Sequence, residues 1–128
     1  MELMAIISLL AVVQFIVFGS LVGVQRGKSG VKAPATTGDE TFERYYRVHY
    51  NTLEQLVSFL PGLWIFGLYV NEQIAAGLGV IYLIGRIVYL KGYVADPAKR
   101  GPGMLLTALP MYVLVLGGLG GAAWSLFN

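Results

Sequence analysis

Cysteine is absent from this chain. Its absence excludes disulfides, cysteine-bound metals and a protein thiol nucleophile, so any sulfur chemistry must use sulfur that a substrate brings. Histidine occurs once, and the lack of a His-Glu-x-x-His pattern argues against a zinc hydrolase. Charge is scarce too: 12% of 128 residues, roughly half the share of a soluble domain. A net charge of +2 is too small and too dispersed for a nucleic-acid binder. Apolar residues make up 56% of the chain and gather in long runs. Such runs define an integral membrane protein.

The expected fold is all-α: one up-down-up-down four-helix membrane bundle over residues 1–128. Spans are predicted at about 3–24, 42–69, 73–93 and 105–127. The first span has only Ser8, Gln14 and Ser20 as polar side chains. A signal peptide is its rival reading, opposed by Glu2 in the n-region and by the lack of an Ala-x-Ala site. Gly19 and Gly23 form a small-xxx-small pair that serves a close helix contact or faces lipid. Gly27, Gly30, Pro34 and Gly38 make 25–41 a loop. Its lysines read as orientation charges rather than a phosphate nest. Thr41 is the expected cap of the second helix, and Pro61 should kink that helix. Val70-Asn71-Glu72 reads as a tight turn, and 94–103 as a loop. The glycines between Gly117 and Gly121 mark a packing strip or a flexible end.

Polar residues inside the spans are few and patterned. Glu43, Arg47, Asn51 and Glu54 share one face of the second helix at its aqueous mouth. Tyr82, Arg86, Tyr89 and Tyr93 share one face of the third. Arg86 lies roughly two turns inside that span and needs a partner. Glu54 has a similar depth, so a structural ion pair, direct or through water, is predicted between Glu54 and Arg86. All nine basic residues fall at one end of such a bundle. The positive-inside rule makes loops 25–41 and 94–103 cytoplasmic and puts both termini outside, with a bacterial cytoplasmic membrane as the expected location.

The basic end suits a cytosolic anion. Arg26, Arg47 and Arg100 have the chemistry to hold carboxylates, Glu54 to accept from an ammonium, and Asn51 to satisfy a peptide group. A zwitterionic peptide matches that set better than a simple phosphate. A free thiol has a pKa of about 8.5, so its activation near neutral pH needs a nearby cation. Arginine keeps its own proton and acts there as an electrostatic stabiliser, not a base. Solvated surface charge is the plainer reading of the same loops.

Three motifs resemble the MAPEG superfamily, membrane-associated proteins in eicosanoid and glutathione metabolism. They are Glu43-Arg-Tyr-Tyr-Arg-Val-His-Tyr-Asn-Thr-Leu-Glu54, Gly85-Arg-Ile-Val-Tyr-Leu-Lys-Gly-Tyr93 and Asp96-Pro-Ala-Lys-Arg100. The segments Arg47-Val-His-Tyr-Asn-Thr-Leu-Glu54 and Pro97-Ala-Lys-Arg100 are most similar to the microsomal glutathione transferase type 3 branch. The resemblance implies a four-helix subunit, a homotrimer, and glutathione as co-substrate in clefts between subunits. It also implies that Arg47, Asn51, Glu54, Tyr89 and Tyr93 hold glutathione, with Arg26 and His49 helping, and that Arg100 stabilises the thiolate. His49 is about 200° round its helix from Arg47, so it should address a neighbouring subunit or pack. Gln55 and Gly27 replace a tyrosine and an arginine of the leukotriene-synthesising branch. The implied activity is transfer of glutathione, or a glutathione peroxidase reaction, on apolar electrophiles from the bilayer. A non-catalytic lipid-binding scaffold of the same family is the alternative. A small transporter subunit is disfavoured, because spans one and four have almost no polar residues.

Overall fold

The first apolar run folds as α1 (Glu2–Ser29), in a computed structural model that describes residues 1–128. It outruns the expected end because Gly27 is tolerated within the helix. Gly30 stops it at φ 77°, donating its N–H to the Arg26 carbonyl at 3.1 Å. The next helix, α2 (Glu40–Tyr69), is capped by Asp39 rather than Thr41. The Asp39 carboxylate accepts from Phe42 N–H at 2.9 Å, and an anion at a helix start is also favoured by the dipole. Thr41 therefore lies within the first turn. Asn71 caps α3 (Glu72–Ala95) by accepting from Ile74 N–H at 2.8 Å. A 3-10 turn (Pro97–Arg100) leads directly into α4 (Gly101–Phe127), which starts four residues before the expected span. Pro102 suits that start, since the first turn needs no N–H from it.

Side-chain contacts fix the topology. Trp64 donates to Ser8 at 2.7 Å near one end of the α1–α2 pair, and His49 stacks on Phe15 further along. These two helices are therefore antiparallel. Phe59 stacks on Tyr82 with ring centroids 3.7 Å apart, and Arg44 reaches Val94, so α2 and α3 are antiparallel too. Gly85 meets Leu106 and Gly103 meets Tyr89, which reverses α4 against α3. The result is the expected up-down-up-down four-helix bundle. Its main core is Met4, Ile7, Ala11, Leu56, Phe59, Leu63, Phe66, Ala75, Ala76, Tyr82 and Leu114.

α1, α3 and the 97–127 segment are each long and apolar enough to cross a membrane. In α2 the apolar character is confined to the second half, because the first half carries the charged stripe. Large apolar side chains such as Leu9, Ile16, Val57, Leu116 and Leu119 are exposed, as suits groups that face acyl chains or another subunit. The small residues act as spacers. Gly117 and Gly118 lie against Phe66, and Gly121 against Val70, so this part of α4 is a packing strip within continuous helix. Gly19 faces His49, whereas Gly23 meets nothing within 4 Å. Pro61 interrupts the hydrogen-bond ladder on an exposed face of α2, yet the helix runs through it.

The tightest approach is at Gly103, where an added Cβ would overlap the Tyr89 backbone N and Cα. Gly103→Ala should therefore force α3 and α4 apart and cost about 1–3 kcal/mol. Gly77→Ala, with open space around it, should be neutral or slightly stabilising. Thermal unfolding of both variants in one detergent checks the contrast.

Candidate functional site

The basic end of the bundle holds a cleft of about 360 Å³, lined by Arg47, Asn51, Tyr89, Tyr93, Arg100 and Met104. Three helices supply it. α2 presents Arg47 and Asn51 one turn apart. α3 presents Tyr89 and Tyr93, again one turn apart, with rings 5.6 Å centroid to centroid. Arg100 and Met104 stand at the turn into α4. Five residues expected at one site from three separate motifs thus line one cleft. A second hollow of about 410 Å³ adjoins it toward the loops, sharing Arg47 and Tyr93 and adding Glu40, Glu43, Arg44 and Tyr46 among others.

Behind the cleft lies Arg86, with no exposed surface. A buried guanidinium costs several kcal/mol unless its donors are matched. Here the acceptors are neutral. Nη2 donates to Asn51 Oδ1 at 2.8 Å and to Thr52 Oγ1 at 3.0 Å, and Nη1 donates to Thr107 Oγ1 at 3.3 Å. The guanidinium carbon lies 4.4 Å from the centroid of the Tyr89 ring, a cation–π contact. Each threonine keeps a bond of its own: Thr52 donates to the Val48 carbonyl and Thr107 to that of Gly103, both at 2.8 Å.

A direct Arg86–Glu54 ion pair does not form. Arg86 points between Asn51 and Thr52, while Glu54 lies on the far side of Asn51 and is exposed. The two are joined only through the amide: Asn51 Nδ2 donates to Glu54 Oε1 at 3.4 Å. Because Arg86 takes the amide oxygen, Asn51 turns its NH₂ outward. Glu54 stands at the rim rather than in the lining.

Two other expected residues fall outside the cleft. Arg26 is spent on its own loop: it donates to the carbonyls of Ala35 at 2.8 Å and Val31 at 3.5 Å, and covers the Phe42 ring at 4.7 Å. His49 is turned to α1, stacked on Phe15 at 4.4 Å in the space that Gly19 leaves. Glu43, from the polar stripe, accepts from Gly38 N–H at 3.1 Å and ties down the loop. Thr52, Thr107, Arg44 and Met104 were not anticipated. The two threonines had a readable signal, as hydroxyl side chains on faces otherwise filled by apolar residues.

The chemistry available follows from this inventory. Arg47 and Arg100 are exposed and make no hydrogen bond or ion pair with the protein. Both are available to an anionic ligand. The Asn51 amide offers donors, the tyrosine hydroxyls can donate or accept, and Glu54 offers a carboxylate at the rim. Met104 gives one apolar edge.

Fold and cleft define a class: a membrane-embedded four-helix protein with an arginine-lined cleft at its basic end. The sequence profile described as the MAPEG family matches residues 4–120, and this chain belongs to that family. It is 49% identical, over 95% of its length and 89% of the relative's, to a protein of Synechocystis sp. described as uncharacterized. It is 36% identical to human microsomal glutathione S-transferase 2, covering 98% of this chain and 86% of that one. Bovine leukotriene C4 synthase is 35% identical over 88% of this chain and 75% of its own.

The neutral surroundings of Arg86 lead to a stability prediction. Both threonines keep their bonds to main-chain carbonyls without it, so Arg86→Met should leave few orphaned groups. Removal of a buried charge that has no counter-ion also removes its desolvation cost, so the variant is expected to be neutral or stabilising. Thermal unfolding in detergent checks this, and a clear loss of stability would assign the guanidinium to holding the bundle together.

Proposed function

We propose that this protein is a membrane glutathione S-transferase that joins the glutathione thiolate to apolar electrophiles arriving from the bilayer. The observation that carries the reading is the convergence of Arg47, Asn51, Tyr89, Tyr93 and Arg100 on one cleft. The similar human microsomal glutathione S-transferase 2 supports the choice of glutathione.

In this reading Arg47 holds a glutathione carboxylate, the outward NH₂ of Asn51 donates to a peptide carbonyl, and Glu54 accepts from the ammonium. Tyr89 and Tyr93 flank the tripeptide. Arg100 lies beside the sulfur. Its fixed positive charge favours thiolate over thiol, and each unit of pKa depression is worth about 1.4 kcal/mol. The thiol proton leaves to water. The thiolate forms a carbon–sulfur bond with the electrophile, and the displaced group departs with the bonding electrons. With a hydroperoxide, the thiolate would instead take the distal oxygen and release the alcohol. A second glutathione would then convert the sulfenic acid to disulfide and water. Arg26 and His49 take structural parts within one subunit.

The assembly we propose is a homotrimer. Arg47 and Glu54 are exposed beside Leu53 and Val57 on the same side of α2, and polar groups so placed are costly against lipid. A neighbouring copy would cover that side and close the cleft. α2 then serves as the fourth span, since it runs antiparallel between α1 and α3. The nine basic residues lie at one end of the bundle, which supports a cytoplasmic placement of that end and of both loops in a bacterial cytoplasmic membrane.

Titration of the detergent-solubilised protein with glutathione, followed at the ultraviolet absorbance of the thiolate, tests the reading. The wild-type protein should show a pH-dependent thiolate signal, and Arg100→Ala should abolish it. Glu54→Gln should weaken glutathione binding by roughly 10-fold, the loss of one charge-assisted hydrogen bond. A wild-type protein that binds no glutathione would sink the proposal.

A further inference from the structure

Arg100 has no hydrogen bond or ion pair with the protein, and its side chain is exposed. The backbone beneath it therefore sets the only fixed part of its reach, the point from which the side chain starts. That backbone is a short arm, residues 96–100, between the end of α3 and the start of α4. The arm is stiffened from within. Asp96 accepts from Ala98 N–H at 3.0 Å, and Lys99 N–H donates to the Asp96 carbonyl at 2.8 Å. It is also pressed against α3. The Lys99 carbonyl lies over Gly92, where an added Cβ would stand 2.7 Å from the oxygen.

The remaining tie comes from another helix. Arg44, on α2, directs Nη1 to the carbonyl oxygens of Val94 at 3.0 Å and Ala95 at 3.2 Å. These are among the last carbonyls of α3, which have no donor within their own helix. A cation there also complements the helix dipole. The guanidinium pairs with Glu40 one turn earlier, and its side chain is only 23% exposed. Arg47 follows Arg44 by three residues on the same helix. One side chain thus links the α2 edge of the cleft to the root of the arm that carries Arg100.

We propose that Arg44 is a positioning residue: it sets the separation of Arg47 and Arg100 across the cleft, and so the strength with which Arg100 stabilises a bound thiolate. This rests on the glutathione reading above. Loss of Arg44 frees the end of α3 and lets the arm drift. Ligand contacts from Arg47, Asn51 and Tyr89 are untouched. The effect should therefore fall on the sulfur and spare the rest of the tripeptide.

The test uses the full-length protein in detergent with two probes, glutathione and S-methylglutathione, which has no ionisable thiol. Arg44→Ala should raise the thiolate pKa by about 0.5–1 unit, a roughly 3- to 10-fold loss of thiolate at fixed pH. Affinity for S-methylglutathione should stay within about twofold, a difference under half a kcal/mol. Gly92→Ala pushes the arm from the opposite side and should give the same pattern, which keeps the test open if Arg44→Ala does not fold. Arg44→Lys should recover part of the shift, since an ammonium keeps the charge but not the planar fork. Unchanged thiolate pKa in folded Arg44→Ala and Gly92→Ala overturns the inference. Equal losses for both probes also overturn it, by showing a general structural role. If wild-type protein binds glutathione without forming thiolate, or Arg100→Ala retains the thiolate, the parent reading fails instead.

Discussion

A single buried guanidinium organises the site. Arg86 cannot leave the bundle without breaking three hydrogen bonds, and it draws those bonds from two other helices, α2 and α4. It is the point at which three helices meet through polar contacts in an otherwise apolar interior. Its placement also decides the state of its neighbours. It turns the Asn51 amide outward and lies against the Tyr89 ring, and both of these residues line the cleft. The cleft is thus shaped from behind by a charge that never reaches its surface.

That charge has no carboxylate against it. Arg47 and Arg100 are likewise unpaired, and no acid lines the cleft. Three guanidinium groups around one small volume create a demand for negative charge. In the proposed reading, a carboxylate and a thiolate on one ligand answer this demand. The acids of the region are occupied elsewhere: Glu40 pairs with Arg44, Glu43 ties the loop, and Glu54 stays at the rim. Acids and bases share one side of α2, and the pairing of Glu40 and the loop tie of Glu43 leave Arg47 free to face the cleft.

Much of the fold could be read in advance because its signals are local. Apolar run lengths mark the four helices. Errors fell at the ends. The cap of α2 is Asp39, two residues before the expected Thr41, because a carboxylate is the better acceptor at a helix start. Gly27 looked like a breaker, but a single glycine costs a long apolar helix only about 1 kcal/mol. The candidate site was legible to the extent that helical periodicity reached. Arg47 with Asn51, and Tyr89 with Tyr93, could each be placed on a common face. The Arg86–Glu54 pair could not be judged that way, because equal depth in two helices says nothing about their rotation toward each other.

Sequence by itself determined what must be hidden from water and which residues share a helix face, since both follow from side-chain chemistry and the 3.6-residue turn. It also determined that any reactive sulfur must be brought in, cysteine being absent. Tertiary structure alone decided which faces meet. It gave Arg86 to Asn51, Thr52 and Thr107, turned His49 to Phe15, and spent Arg26 on its loop. Those outcomes depend on helix rotation and on close approaches such as Gly103 against Tyr89. They are fixed by packing between segments far apart in the chain, where local periodicity has no reach.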